Sequence, residues 1–165
     1  PFQTIPLIES GAADNFDFST PELAIVSGSH NGEKKHVNTV KKILKKINLT
    51  EKSLKCGTQT PLYYTVKGIS PRPKEKFSVL HHNCSGKHAG MLAVAVYKNY
   101  NPKNYINPQH PVQKLILKAV SEICEFPQNE IKIGIDGCSA PNFALPLKNM
   151  ALGFARLVSS DSNGR

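Results

Sequence analysis

The sequence predicts a mixed α/β (α+β) chain, and three observations carry that expectation. Apolar residues recur at helical spacing in three segments, near 34–48, 85–100 and 108–125. A short alternating run, Ile131-Lys132-Ile133-Gly134-Ile135, leads into Asp136-Gly137-Cys138, as a strand entering a turn does. A stretch between them, 49–80, is broken by Pro61, Pro71 and Pro73. With 165 residues, 39% of them hydrophobic and 20% charged, the chain suits one domain, residues 1–165, with a real core.

The elements follow in order. Residues 1–13 read as a helix through Phe2, Ile5, Leu7 and Ile8, with Pro1 tolerable in a first turn and Gly11 as its end. Ser19-Thr20-Pro21-Glu22-Leu23 reads as a cap and a short helical turn. Leu23 to Gly28 is apolar, stops at small residues and is expected to be a strand that presents Ser29. The polar loop Ser29-His30-Asn31-Gly32-Glu33 follows. Val37, Val40, Leu44 and Ile47 then line one face of a lysine-rich helix over roughly 34–48. Tyr63–Val66 and Phe77–Leu80 are candidate short strands. A helix is expected from about Ser85 to Tyr100, stopped by Asn101-Pro102. Another covers about 108–125, with Val112, Leu115, Ile116, Ala119, Val120 and Ile123 on one face. Pro146 to Val158 reads as a last helix, and Ser159 to Arg165 as a polar end.

Composition narrows the function. The 21 Lys+Arg against 12 Asp+Glu leave a net charge of +9, which invites a nucleic-acid reading. Much of that excess, however, sits on one helix face: Lys34, Lys35, Lys41, Lys42, Lys45 and Lys46. Few aromatics interleave with these lysines, so a solvated amphipathic helix is the expectation and no nucleic-acid partner. No apolar run reaches the roughly 18 residues of a membrane span. Four cysteines, Cys56, Cys84, Cys124 and Cys138, form no close pair, so a disulfide framework is not expected. Cys124 and Cys56 read as core thiols. Cys84 and Cys138 have polar, glycine-containing neighbours and stand apart.

The chemically densest stretch is Asn83-Cys84-Ser85-Gly86-Lys87-His88. A phosphate-binding loop is excluded, because the required Gly and Ser/Thr places hold His81 and His88. Ser85 as the N-cap of the following apolar helix explains the local pattern. It explains neither Cys84 nor Lys87, since a lysine in a first turn opposes the helix dipole. From the residues alone, a structural cap and a reactive or metal-binding site both remain open.

Four ordered blocks carry a family resemblance across the whole chain. They are Pro1-Phe2-Gln3-Thr4-Ile5-Pro6-Leu7 with Gly11-Ala12-Ala13-Asp14, then Ser29-His30-Asn31-Gly32-Glu33, then Asn83 to Met91, then Asp136 to Phe143. Together they resemble the asparaginase II family, the Rhizobium-type L-asparaginases. The resemblance implies hydrolysis of L-asparagine to L-aspartate and ammonia, a homodimeric full-length enzyme and a cytoplasmic location. It implies a fold like the serine β-lactamases and DD-peptidases, with helices packed on a mainly antiparallel sheet. It also implies a zinc ion on Cys84, Lys87 and Cys138. Two thiolates suit zinc, three protein ligands leave one position open, and an amine ligates only when neutral. Asp136 and His88 are expected to orient the ligands or a water; for His88 an ordinary hydrogen-bonded helix position is the alternative.

One departure matters. Enzymes of this kind use a Ser-x-x-Lys pair, whose spacing puts both groups on one helix face. No serine here has a lysine three residues later. In the family that lysine directly precedes the Pro-Phe-Gln stretch, and a second catalytic lysine lies beyond the region matched here. The expectation is therefore a partial domain, truncated at both ends and inactive alone. Ser29 matches the family's second active-site serine and is the one catalytic candidate; a turn serine before Asn31-Gly32 is the alternative. The rival function is a non-catalytic zinc-binding or interaction module on the same fold.

Overall fold

The computed structural model describes residues 1–159, so Ser160 to Arg165 lie outside the described residues. Eight α-helices, five 3-10 turns and a two-stranded hairpin make up the regular structure among them. The helices are α1 (Ile5–Glu9), α2 (Ala12–Asn15), α3 (Thr20–Val26), α4 (Lys34–Lys46), α5 (Leu62–Lys67), α6 (Ser85–Tyr97), α7 (Pro111–Ile123) and α8 (Leu147–Val158). The strands are β1 (Lys132–Ile135) and β2 (Pro141–Ala144). They pair antiparallel with Ile133 opposite Phe143 and Ile135 opposite Pro141.

The mixed α/β class holds, with helices and one small antiparallel sheet, and among the described residues the core is organised around α6. Ala89, Met91, Leu92, Ala93, Val94 and Ala95 of α6 are all buried. A helix that is apolar on every side belongs in the middle of a domain, and α1, α2, α3, α4 and α7 pack around it. The approach of α3 is close. A Cβ on Gly86 would lie 2.3 Å from the Ile25 carbonyl oxygen, and one on Gly90 would lie 3.1 Å from Val26 Cβ. The two glycines, four apart on one helix face, let the backbones meet. That contact brings the loop after α3 over the first turn of α6.

Several local expectations hold. Ser19 and Glu22 form a capping box at the start of α3. The apolar stripe of α4 is buried at Val37, Val40 and Leu44, with Ile47 buried at its end. Cys56 and Cys124 are buried thiols. Of the α4 lysines, Lys46 turns back to Glu22, at 2.7 Å.

Others are corrected. The first thirteen residues are not one helix. A 3-10 turn at Phe2–Thr4 leads into α1, and Gly11, at φ +80°, breaks α1 from α2. The stretch before Ser29 is the helix α3, not a strand, because its capping box fixes a helical start that the apolar run simply continues. Tyr63–Val66 lies in α5, and Val79–His81 is a 3-10 turn capped by Ser78. Ser85 does not cap α6. Cys84 holds the N-cap place, and the Ser85 hydroxyl donates to the Leu80 carbonyl at 2.9 Å. Strand β2 was not anticipated, since Pro141 masks its start. Apolar side chains of β1 and α8 remain open to solvent, among them Ile135, Leu147 and Val158.

Candidate metal centre and cavity

Three chain segments converge at the N-terminus of α6. The first is the first turn of α6, which carries Cys84 and Lys87. The second is the hairpin loop between β1 and β2, where Asp136 N–H donates to the Ala140 carbonyl (2.9 Å) and Ser139 adopts φ +67°. This tight loop turns Cys138 inward, buried to 4% exposure, while Asp136 stays exposed. The third is the loop after α3. Its Lys87 contact is direct: Lys87 Nζ donates to Ser29 Oγ at 3.4 Å.

The hairpin loop and α6 together place Cys84 Sγ, Cys138 Sγ and an Asp136 carboxylate oxygen within 4.8 Å of one another. Two sulfurs and a carboxylate oxygen at one point are a donor set that fits zinc. The sequence expectation had Lys87 in that set and Asp136 beside it. The geometry adds Asp136 as a direct ligand candidate, and Lys87 Nζ bonds Ser29. The Cys138 N–H also donates to Asp136 Oδ2, at 3.2 Å, which fixes the carboxylate against the loop.

The electrostatics match this grouping. A hydrogen bond from Cys138 and the nearby Lys87 charge outweigh burial and hold the Cys84 thiol down at about 6. Cys138 is pushed up, because it keeps its proton in the bond to Cys84 and because it is buried. Asp136 is lowered by hydrogen bonds from Cys138. The lowered Cys84 and the raised Cys138 make an unequal thiol pair in which Cys84 is the readier thiolate.

Beside the cluster lies a cavity of about 160 Å³ whose walls include Gln3, Lys87, His88, Asp136, Cys138 and Asn142. A larger open concavity, about 310 Å³, runs along the end of α4 between Lys41, Lys45, Asn48 and Glu51. It holds no thiol or imidazole, and the chemistry belongs to the smaller cavity.

His88 is fully buried, with Nδ1 2.5 Å from Tyr105 Oη, and burial holds its pKa down at about 3. Three residues that sequence reading passed over complete the surroundings. His82 accepts the Cys84 N–H on Nδ1 at 3.1 Å, and so sets the backbone at the ligand. His30 accepts the Gly32 N–H on Nδ1 (3.1 Å) and meets Ser85 Oγ through Nε2 (2.9 Å). With Nδ1 accepting, Nε2 carries the proton and donates to Ser85. Ser85 therefore faces a donor, not a base, and this Ser–His contact is structural. Tyr105, remote in sequence, anchors His88. The doubled His81-His82 was a local signal for the first; no sequence rule pairs His30 with Ser85 or Tyr105 with His88.

The L-asparaginase II family profile matches residues 1–165. The chain belongs to the L-asparaginase II family. No curated protein matches it. In this family member, the blocks that carried the resemblance are the ones that meet in space: Gln3 from the first, Ser29 from the second, Cys84 to His88 from the third, and Asp136 to Asn142 from the fourth. Among the described residues, no helix is long and apolar enough to cross a membrane.

Proposed function

We propose that this chain forms the metal-bearing part of an L-asparaginase-like amidohydrolase that converts L-asparagine to L-aspartate and ammonia. The single observation that carries the reading is the convergence of Cys84, Asp136 and Cys138 beside a small polar cavity, in a chain of this family. Cys84, Cys138 and Asp136 or Lys87 would hold the zinc. Zinc, when bound, supplies a Lewis acid at the cavity wall.

The chain's own groups support the rest. Lys87 donates to Ser29 Oγ, so the Ser29 proton is free to be passed to a neighbouring base or leaving group. The cavity offers an amine, a carboxylate and two carboxamides, matching the charges and amide of asparagine. A serine acyl-enzyme route requires a Ser-x-x-Lys pair, which residues 1–165 do not contain. The helical core with an antiparallel hairpin is compatible with a β-lactamase-like fold. A homodimer and a cytoplasmic location belong to the same proposal.

The Cys84, Asp136 and Cys138 cluster also suits one second reading, a non-catalytic zinc module. An ammonia-release assay with L-asparagine and L-glutamine separates them. Residues 1–165 alone are expected to be inactive, and a chain extended by a Ser-x-x-Lys-bearing segment active. In the active form Ser29→Ala should lower kcat by about 10²–10⁴, the range of a lost proton-transfer group. Inactivity of both forms, with zinc bound, establishes the second reading instead.

A further inference from the structure

His88 is wholly buried and forms part of the cavity wall, yet its Nε2 has no hydrogen-bond partner among the described residues. A buried polar atom left without a partner costs about 1–3 kcal/mol, so this one calls for an account. The other face of the ring supplies it. Nδ1 lies 2.5 Å from the hydroxyl of Tyr105, which is itself fully buried. That hydroxyl receives the Lys55 backbone N–H at 2.9 Å, and the Tyr105 carbonyl is held by Gln113 Nε2 at 2.8 Å.

Counting protons settles the direction of each bond. The Lys55 amide can only donate. The Tyr105 hydroxyl proton then has one acceptor within reach, Nδ1 of His88. Nδ1 is therefore the lone-pair nitrogen, and the neutral ring carries its proton on Nε2. The opposite arrangement, with Nδ1–H donating to Tyr105, leaves the hydroxyl proton without an acceptor and Nε2 without a donor. It has two buried deficits where the first has one. The one that remains is a buried Nε2–H on a ring that forms part of the cavity wall.

We infer that Tyr105 is a positioning residue that fixes His88 as an Nε2–H donor, and that this N–H binds an oxygen of an amino-acid ligand held in the cavity. The inference rests on the reading of that cavity as an amino-acid amide site. Its surroundings fit an oxygen-rich ligand. Gln3, Asn142 and Lys87, three polar residues, line the cavity as well. The volume, about 160 Å³, is that of about five waters. The protonated Nε2 also takes His88 out of the ligand set, since a nitrogen bearing a proton in the ring plane has no lone pair for a metal.

The test is long-range ¹H–¹⁵N spectroscopy of His88 in the whole ¹⁵N-labelled chain, zinc-loaded and chelator-treated, followed by titration with L-aspartate as the probe. The expected result is a protonated Nε2 and a hydrogen-bonded, unprotonated Nδ1 in both metal states, with the Nε2–H signal moving as L-aspartate is added. Tyr105→Phe should shift the Nδ1 signal toward that of an unbonded nitrogen and weaken L-aspartate binding about two- to tenfold, one hydrogen bond's worth. A merely structural role for Tyr105 would leave L-aspartate binding and the Nε2–H response of the folded variant unchanged. If the variant fails to fold, the wild-type signals decide alone. A proton on Nδ1, an Nε2 signal that zinc abolishes, or an Nε2–H that L-aspartate leaves unmoved overturns the inference. An intact Nε2–H response without asparagine hydrolysis would instead sink the proposed reaction and leave this inference standing.

Discussion

Acid should loosen this protein well before its carboxylates titrate, and His30 is the clearest reason. Its ring is buried to 6% exposure between Gly32 N–H and Ser85, and burial, reinforced by the His36 and His82 charges, lowers its pKa to about 4. The unfolded chain takes up that proton near pH 6.5. Between 6.5 and about 4 the unfolded state therefore binds a proton that the native state refuses, and stability falls as pH falls. Above 6.5 neither state is protonated and the group contributes no slope. The slope inside the window is about 1.4 kcal/mol per pH unit for one group. From pH 6.5 to 5 His30 alone removes about 2 kcal/mol, a large share of the usual 5–15 kcal/mol. His88, lowered to about 3 by burial, adds a slope of the same sign. Urea unfolding at pH 7, 6 and 5 measures the sum, and His30→Gln isolates the His30 part. The variant should be less stable at pH 7 but lose about 2 kcal/mol less on going to pH 5. Equal pH dependence in both proteins, or a His30 ring that titrates near 6.5 by NMR, would refute the reasoning.

Further outcomes follow from the packing and the thiols. In zinc-stripped protein, iodoacetamide should modify the Cys84–Cys138 pair before Cys56 or Cys124, as peptide mass spectrometry would show. The first pair shares a thiolate with a titration near 6, whereas burial pushes Cys56 up to about 12 and raises Cys124. The modification rate should hold at neutral pH and fall below about 6. Gly86→Ala should destabilise the chain by about 1–3 kcal/mol in chemical denaturation, because its methyl meets a backbone oxygen of α3 at 2.3 Å. Gly28→Ala, with nothing near its added carbon, is the control that should change little.

Much of the helical fold was legible because periodicity reports burial directly. The apolar stripes of α4 and α7 and the all-apolar run of α6 each indicated where their helices sit. The failures have physical causes. Leu23–Val26 is too short for periodicity to separate strand from helix, and the capping box at Ser19 and Glu22 decided it. Tyr63–Val66 has strand-prone side chains, but Leu62–Lys67 closes a helical turn that Gly68 ends at φ +64°. The candidate site was legible in part. Cys84, Lys87 and Cys138 were drawn together by family resemblance, whereas no spacing rule joins a helix start to a hairpin loop so distant in sequence. Asp136 was expected to orient the ligands, and its carboxylate lies within 4.8 Å of both sulfurs. His30 and Tyr105 act through bonds that only the tertiary structure makes, to Ser85 and His88.

In the proposed enzyme the start of α6 and the β1–β2 loop make one metal centre at the cavity. The direct measurement is zinc K-edge X-ray absorption on the whole chain loaded with one equivalent of zinc. The account predicts two sulfur scatterers at about 2.3 Å and the remaining ligands as nitrogen or oxygen at about 2.0–2.2 Å, with the sulfur shell lost in Cys84→Ser/Cys138→Ser. A spectrum without sulfur, or one unchanged in that double variant, would contradict it.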